Sequence, residues 1–159
     1  MTAQENAKAI EEFLKDDDWH YTRVEQDDGD VLFTGGVGGL GGAYDSVRYT
    51  AIAAEGNIQA YAMLPANAKE KLPEMAEFLH RANYNLRYGS FELDWSDGEI
   101  RTHISFPDCV LSTGEAREWI ASLFIIPPHL LGRYSKGIAA ILLGLATPEQ
   151  AIKMCEGDE

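Results

Sequence analysis

Ala3, Ala7, Ile10 and Leu14 recur at intervals of three and four residues, with Phe13 widening the stripe, and this period predicts a first helix over residues 3–15. Asp16-Asp17-Asp18 ends it, because three carboxylates at a helix C-terminus oppose the macrodipole. The pattern then changes from helical to alternating. Strands are predicted over residues 19–26, 31–34, 44–54 and 58–64, with Asp28-Gly29 and Gly56-Asn57 as hairpin turns and a long glycine-rich loop, 35–42, at the middle joint. Leu72, Met75, Leu79, Ala82 and Leu86 return to helical spacing, and Pro73 fits only near the start of that helix.

The clearest hairpin follows, residues 91–95 and 100–106 around Asp97-Gly98. A two-residue turn sets Trp95 against Ile100, Leu93 against Thr102 and Phe91 against Ile104 on one face. The other face then pairs Asp94 with Arg101 and Glu92 with His103, both complementary in charge. A slip of one residue would turn the apolar set to solvent, so the buried face defends the register.

Ser112-Thr113-Gly114-Glu115 reads as a capping box opening a helix with Ala116, Trp119, Ile120 and Leu123, and Pro127-Pro128 is expected to stop it. A further helix carries the stripe Leu130, Tyr134, Ile138, Ile141 and Leu145, and Thr147-Pro148 starts a last short one. The side opposite that stripe should be polar. Instead it holds Gly132, Ala139, Ala140 and Leu143, with Lys136 as its main charge. A helix apolar nearly all round must be enclosed, either by a neighbouring helix of the same chain or by a second copy. Ala139, Ala140 and Leu143 are therefore the expected interface of a homodimer.

Composition narrows the function more than the fold. A chain of 159 residues with 45% hydrophobic and 25% charged positions suits a single globular domain, 1–159, without disulfide support. Twenty-six acidic against 13 basic residues leave a formal charge of −13, which repels phosphate backbones and anionic lipid, so nucleic acid and membrane are not expected partners. Cys109 and Cys155 have no partner at CxxC spacing, which fits a reducing compartment. With no signal-peptide pattern and no apolar run long enough to span a bilayer, a cytoplasmic location is expected.

Gly36-Val37-Gly38-Gly39-Leu40-Gly41 matches the G-x-G-x-x-G spacing of a dinucleotide loop, but such a loop opens a helix, whereas residues 45–54 alternate like a strand. A hairpin loop is the preferred reading. A small-ligand or nucleotide sensor, or an enzyme, using the loop 35–42 is the alternative. His20, His80, His103 and His129 never fall at metal-ligand spacing, no serine sits in a nucleophile elbow, and nothing beside Cys109 suggests a lowered thiol pKa. Glu92 and Asp94 share a strand face, yet cationic partners across the turn would hold them ionised. No cofactor, metal or catalytic residue is expected.

Two blocks carry a family resemblance. One is Asn83-Tyr84-Asn85-Leu86-Arg87-Tyr88-Gly89-Ser90-Phe91-Glu92-Leu93-Asp94 with the Asp97-Gly98 turn and Ile100. The other comprises Tyr134, Ile138, Ile141, Gly144 and Thr147-Pro148-Glu149-Gln150-Ala151-Ile152. In these the chain resembles the YbjN family. The resemblance implies an α+β fold of the type III secretion chaperone kind, an antiparallel sheet built from hairpins with packing helices, often dimeric. It also implies a role in bacterial sensory or stress regulation without enzymatic activity. Asn83, Gly89 and Phe91 then read as a helix end, a residue free to take positive φ, and a core anchor. The expected function is a non-enzymatic, protein-binding regulator or chaperone-like adaptor, with an unidentified protein partner and a second copy of the chain.

Overall fold

Period-two burial along the strands decides the architecture. In a computed structural model that describes residues 1–157, Val31 and Phe33, then Val47, Tyr49, Ala51 and Ala53, then Ile58, Ala60, Ala62 and Leu64 are buried, and the residues between them face the other way. Among the described residues there are six strands, β1 (Thr22–Glu25), β2 (Val31–Gly38), β3 (Ser46–Ala54), β4 (Asn57–Asn67), β5 (Ser90–Leu93) and β6 (Glu99–Pro107). They form one sheet in the order β1-β2-β3-β4-β6-β5, every neighbouring pair antiparallel. Four helices, α1 (Ala3–Asp16), α2 (Leu72–Tyr84), α3 (Ala116–Leu142) and α4 (Pro148–Glu156), supply the cover for its buried face. The fold is α+β, as expected.

The core has two lobes. α1 and the first half of α3 close over β2, β3 and the far end of β6, where Ile10, Leu14, Phe33, Tyr49 and Phe124 meet. α2, α4 and the second half of α3 close over the other end with Met75, Phe78, Phe91, Tyr134 and Ile138. Trp19 belongs to the first lobe rather than to a strand, its ring against Tyr49 and Phe124 at 5.6 and 5.2 Å. The acidic run at the end of α1 is partly partnered, since Arg117 reaches both Asp16 and Asp17.

α3 corrects the expectation that Pro127-Pro128 ends a helix, for it runs unbroken through both, about 40 Å at 1.5 Å per residue. Prolines remove two backbone donors, which in an isolated helix would decide the matter. Here both rings are buried, apolar contacts hold α3 to the sheet on either side of them, and the carbonyl of Pro127 accepts a hydrogen bond from the buried Thr102 hydroxyl at 2.8 Å. Tertiary packing outweighs the local penalty. The predicted capping box also fails. Residues 108–112 form a 3₁₀ turn, Glu115 is the N-cap, and Thr113 spends its hydroxyl on the Val110 carbonyl at 2.7 Å.

The β5–β6 register is two residues away from the expected one. Phe91 stands opposite Thr102, Glu92 opposite Arg101 and Leu93 opposite Ile100. The connection is longer than two residues because Asp94 ties it: its backbone donates to Glu99 O at 3.0 Å, its carbonyl accepts from Gly98 N at 2.7 Å, and its carboxylate takes the Ser96 amide and hydroxyl at 2.8 and 2.6 Å. A two-residue shift keeps every side chain on its face, so the apolar alternation survives.

The glycine-rich stretch is only partly a loop. Gly35 to Gly38 pair with β3 as the end of β2, and the connection proper spans residues 39–45.

Candidate functional site

All four helices pack on one side of the sheet, and among the described residues no element covers its other side. Strand alternation sends Leu32, Arg48, Thr50, Ile52, Gln59, Tyr61, Met63, Arg101 and His103 there, each at a position between buried ones, and Glu92, next to the buried Phe91, joins them from β5. Register then brings residues far apart in sequence into rows. Tyr61 stands opposite His103 on β6, and Met63 lies between Arg48 on β3 and Arg101 on β6.

At the centre of this face the polar residues form a continuous network. Glu92 accepts from Arg101 Nε at 2.6 Å through one oxygen and faces His103 Nδ1 at 3.1 Å through the other. His103 Nε2 lies 3.0 Å from Gln59 Oε1, which also accepts from the Tyr61 hydroxyl at 3.3 Å. The Tyr61 and His103 rings stack at 4.5 Å, and the Arg101 guanidinium lies 4.1 Å from the Tyr61 centroid. Each side chain is thereby fixed by at least two neighbours, and a rigid surface loses little entropy when another molecule covers it. Beside the network a hollow of about 500 Å³ is lined by Thr22, Thr34, Gly36, Thr50, Met63 and Arg48, which has no ion pair among the described residues. Chemically the face offers cations, hydroxyls and stacked rings on a shallow surface, the makings of recognition.

The interface residues expected from sequence lie elsewhere, at the C-terminal end of α3. Ala140 is buried by the chain's own packing at 7% exposure, and Ala139 is half-buried. Leu143 is 72% exposed and Leu145, just past the Gly144 turn, 75%. Much of the second apolar side of α3 is thus enclosed within the chain: Leu40 of the glycine loop covers Gly132, and α4 packs alongside. Met154 on α4 adds a further exposed apolar side chain.

Asn83 sits in the last turn of α2, where its side chain brackets Phe91, donating to the Phe91 carbonyl at 3.0 Å and accepting its amide at 2.6 Å. Phe91 is buried with its ring edge-on to Tyr134 at 5.3 Å. Gly89 takes φ +76° and Gly98 φ +79°. Asp97 accepts from the Glu99 amide at 2.9 Å. Asn83, Gly89 and Phe91 hold the β5–β6 hairpin to α2 and α3, while Asp97 shapes its turn and Gly98 packs against Ala68 and Lys69 before α2.

No group of three or more metal-ligating side chains occurs among the described residues, and none of their helices is long and apolar enough to cross a membrane. Burial pushes the Cys155 thiol above its ordinary value, which disfavours the thiolate. Burial and then the Glu156 carboxylate likewise push up the Tyr134 phenol, whose hydroxyl donates to Glu156 at 2.5 Å. The sequence pairs Glu92 with His103 and Asp94 with Arg101, but in the structure Arg101 stands opposite Glu92 instead of Asp94, His103 meets Glu92 only diagonally, and Gln59, Tyr61 and Arg48 are not among the residues the sequence points to. The only signal for these was their place at alternate positions between buried residues of β3 and β4.

Residues 6–120, well over half of the chain, match a family model described as "Putative bacterial sensory transduction regulator". No curated protein and no solved structure matches the chain.

Proposed function

We propose, from the premise that the chain belongs to the YbjN family, that it is a non-enzymatic cytoplasmic regulator that works by binding protein, and that it does so as a homodimer. The observation carrying this reading is the uncovered face of the sheet. Four helices stack on one side, while the other presents Leu32, Ile52, Tyr61 and Met63 around a pre-set network of Glu92, Arg101, His103 and Gln59. An antiparallel sheet can leave one face to water, but that face is then mostly polar. A mixed face, with apolar residues set beside oriented polar groups, has the character of a protein-recognition surface.

Self-association uses a different surface in this reading, the end of α3, where Ala139 and Leu143 lie four residues apart beside Leu145. Two-fold contacts are the commonest oligomer, and exposed leucines on both copies would cover one another. The two surfaces separate by mutation. Leu143→Glu should yield a folded monomer, whereas Ile52→Glu should leave the dimer intact and abolish retention of the native partner on the tagged chain. A dimer that survives Leu143→Glu and dissociates with Ile52→Glu would reverse the assignment.

A further inference from the structure

One cleft departs from the acidic character of the molecule. His129, Arg133 and Lys136 lie four and three residues apart along α3 and therefore share a stripe of that helix. They line a hollow of about 420 Å³ whose opposite wall is Gly41 and Gly42 of the glycine loop. Arg23, Arg81, Arg101 and Arg117 are each held by a carboxylate, but Arg133 and Lys136 have no ion pair among the described residues. Glu156, which follows the lining residue Cys155, is engaged by the Tyr134 hydroxyl at 2.5 Å and reached by the Asn85 amide at 3.5 Å.

The glycine wall is seated on the helix by close approach. A Cβ on Gly42 would lie 2.7 Å from the Gly132 carbonyl, one on Gly132 would lie 3.2 Å from the Leu40 carbonyl, and the Ala43 amide donates to Ser135 Oγ at 2.8 Å. Gly39 and Gly41 take φ +72° and +67°, and the amides of Leu40, Gly41 and Gly42 have no acceptor among the described residues. Loops of alternating handedness can turn successive amides toward one anion. The G-x-G-x-x-G spacing lacks a helix directly after it in sequence, yet the fold sets it against a helix from far along the chain.

We propose that this cleft binds the phosphate of a small phosphorylated ligand, with the Arg133 guanidinium and Lys136 ammonium as counter-charges and the glycine amides as donors. A guanidinium grips phosphate through paired hydrogen bonds, an ammonium acts as a point charge, and the hollow lies within the usual size range of small-molecule sites. The ligand is small because a formal charge of −13 repels an extended polyanion while a local basic wall still holds a single phosphate group.

Calorimetric titration of the whole chain with inorganic phosphate, pyrophosphate, AMP and ATP tests this. Saturable binding is expected for at least one of them, weakened roughly tenfold or more in Arg133→Gln and again in the Arg133→Gln/Lys136→Gln pair, as loss of a charge-assisted hydrogen bond requires. Pyrophosphate binding as tightly as ATP would identify an inorganic anion, and tighter ATP binding a nucleotide. Both side chains are exposed, so the variants should keep the wild-type circular dichroism. Amide shifts of Gly41 and Gly42 on titration of the wild type provide a readout independent of them. No saturable binding at millimolar ligand, or binding unchanged in the double variant, overturns the proposal.

Discussion

At Gly98 the backbone takes φ +79°, and a Cβ there would lie 2.8 Å from the Ala68 carbonyl carbon. Gly98→Ala combines left-handed strain with a backbone clash and should lose about 3 kcal/mol in urea unfolding. Gly144, at φ +68° with no atom within 4 Å, isolates the strain alone, and Gly144→Ala should lose about 1 kcal/mol. Equal losses would contradict the close packing of the hairpin against the segment before α2. Asp94 makes a second test. Hydrogen bonds from the Ser96 hydroxyl and amide hold its carboxyl below the ordinary value of 3.8. A folded-state value below the unfolded one stabilises the chain fully above the unfolded pKa and is lost as pH falls through the folded one. The Tm gap between wild type and Asp94→Asn should therefore be constant near neutrality and close below about pH 4. A gap independent of pH down to acid unfolding would contradict it. The Asp97-Gly98 turn was legible in the sequence, but its length was not. Two registers two residues apart bury the same side chains, so alternation cannot choose between them, and the choice falls to the bonds Asp94 makes within its own loop.

Among the elements, α1, α2 and α4 were legible from spacing and the main strands from alternation, because each is amphipathic by itself. α3 was not. Pro127 and Pro128 are strong local stop signals, and only the sheet beneath them outweighs that preference through burial and the Thr102 hydrogen bond. Thr102→Val keeps the shape and removes the donor, and with it the buried hydrogen bond that ties β6 to the Pro127 carbonyl of α3. It should lose about 1–2 kcal/mol in chemical denaturation. An unchanged midpoint would show that this bond contributes nothing to holding α3 on the sheet. The glycine stretch was half legible. Gly35–Gly38 pair locally with β3, but glycines carry no side chains to show strand alternation, and the seat of residues 39–43 on α3 depends on a partner distant in the chain.

For the whole molecule, class and family could be read from the sequence, whereas the sidedness of the sheet could not. Gln59, Tyr61, Glu92, Arg101 and His103 come from three strands whose order in the sheet, β4-β6-β5, is not their order in the chain. The proposed dimer surface is legible in part. The apolar excess on the last turns of α3 is visible as a pattern, but α4 and the glycine loop enclose much of it, and Leu143 and Leu145 are what the fold leaves exposed. Protein contacts, the first of them with its own copy, are the proposed mode of action of this chain. Light scattering on the eluting peak at micromolar concentration tests that most directly. Twice the chain mass of 17.6 kDa is expected for the wild type and a single folded chain for Leu143→Glu, and a wild type that elutes as a monomer throughout that range would contradict the proposed dimer.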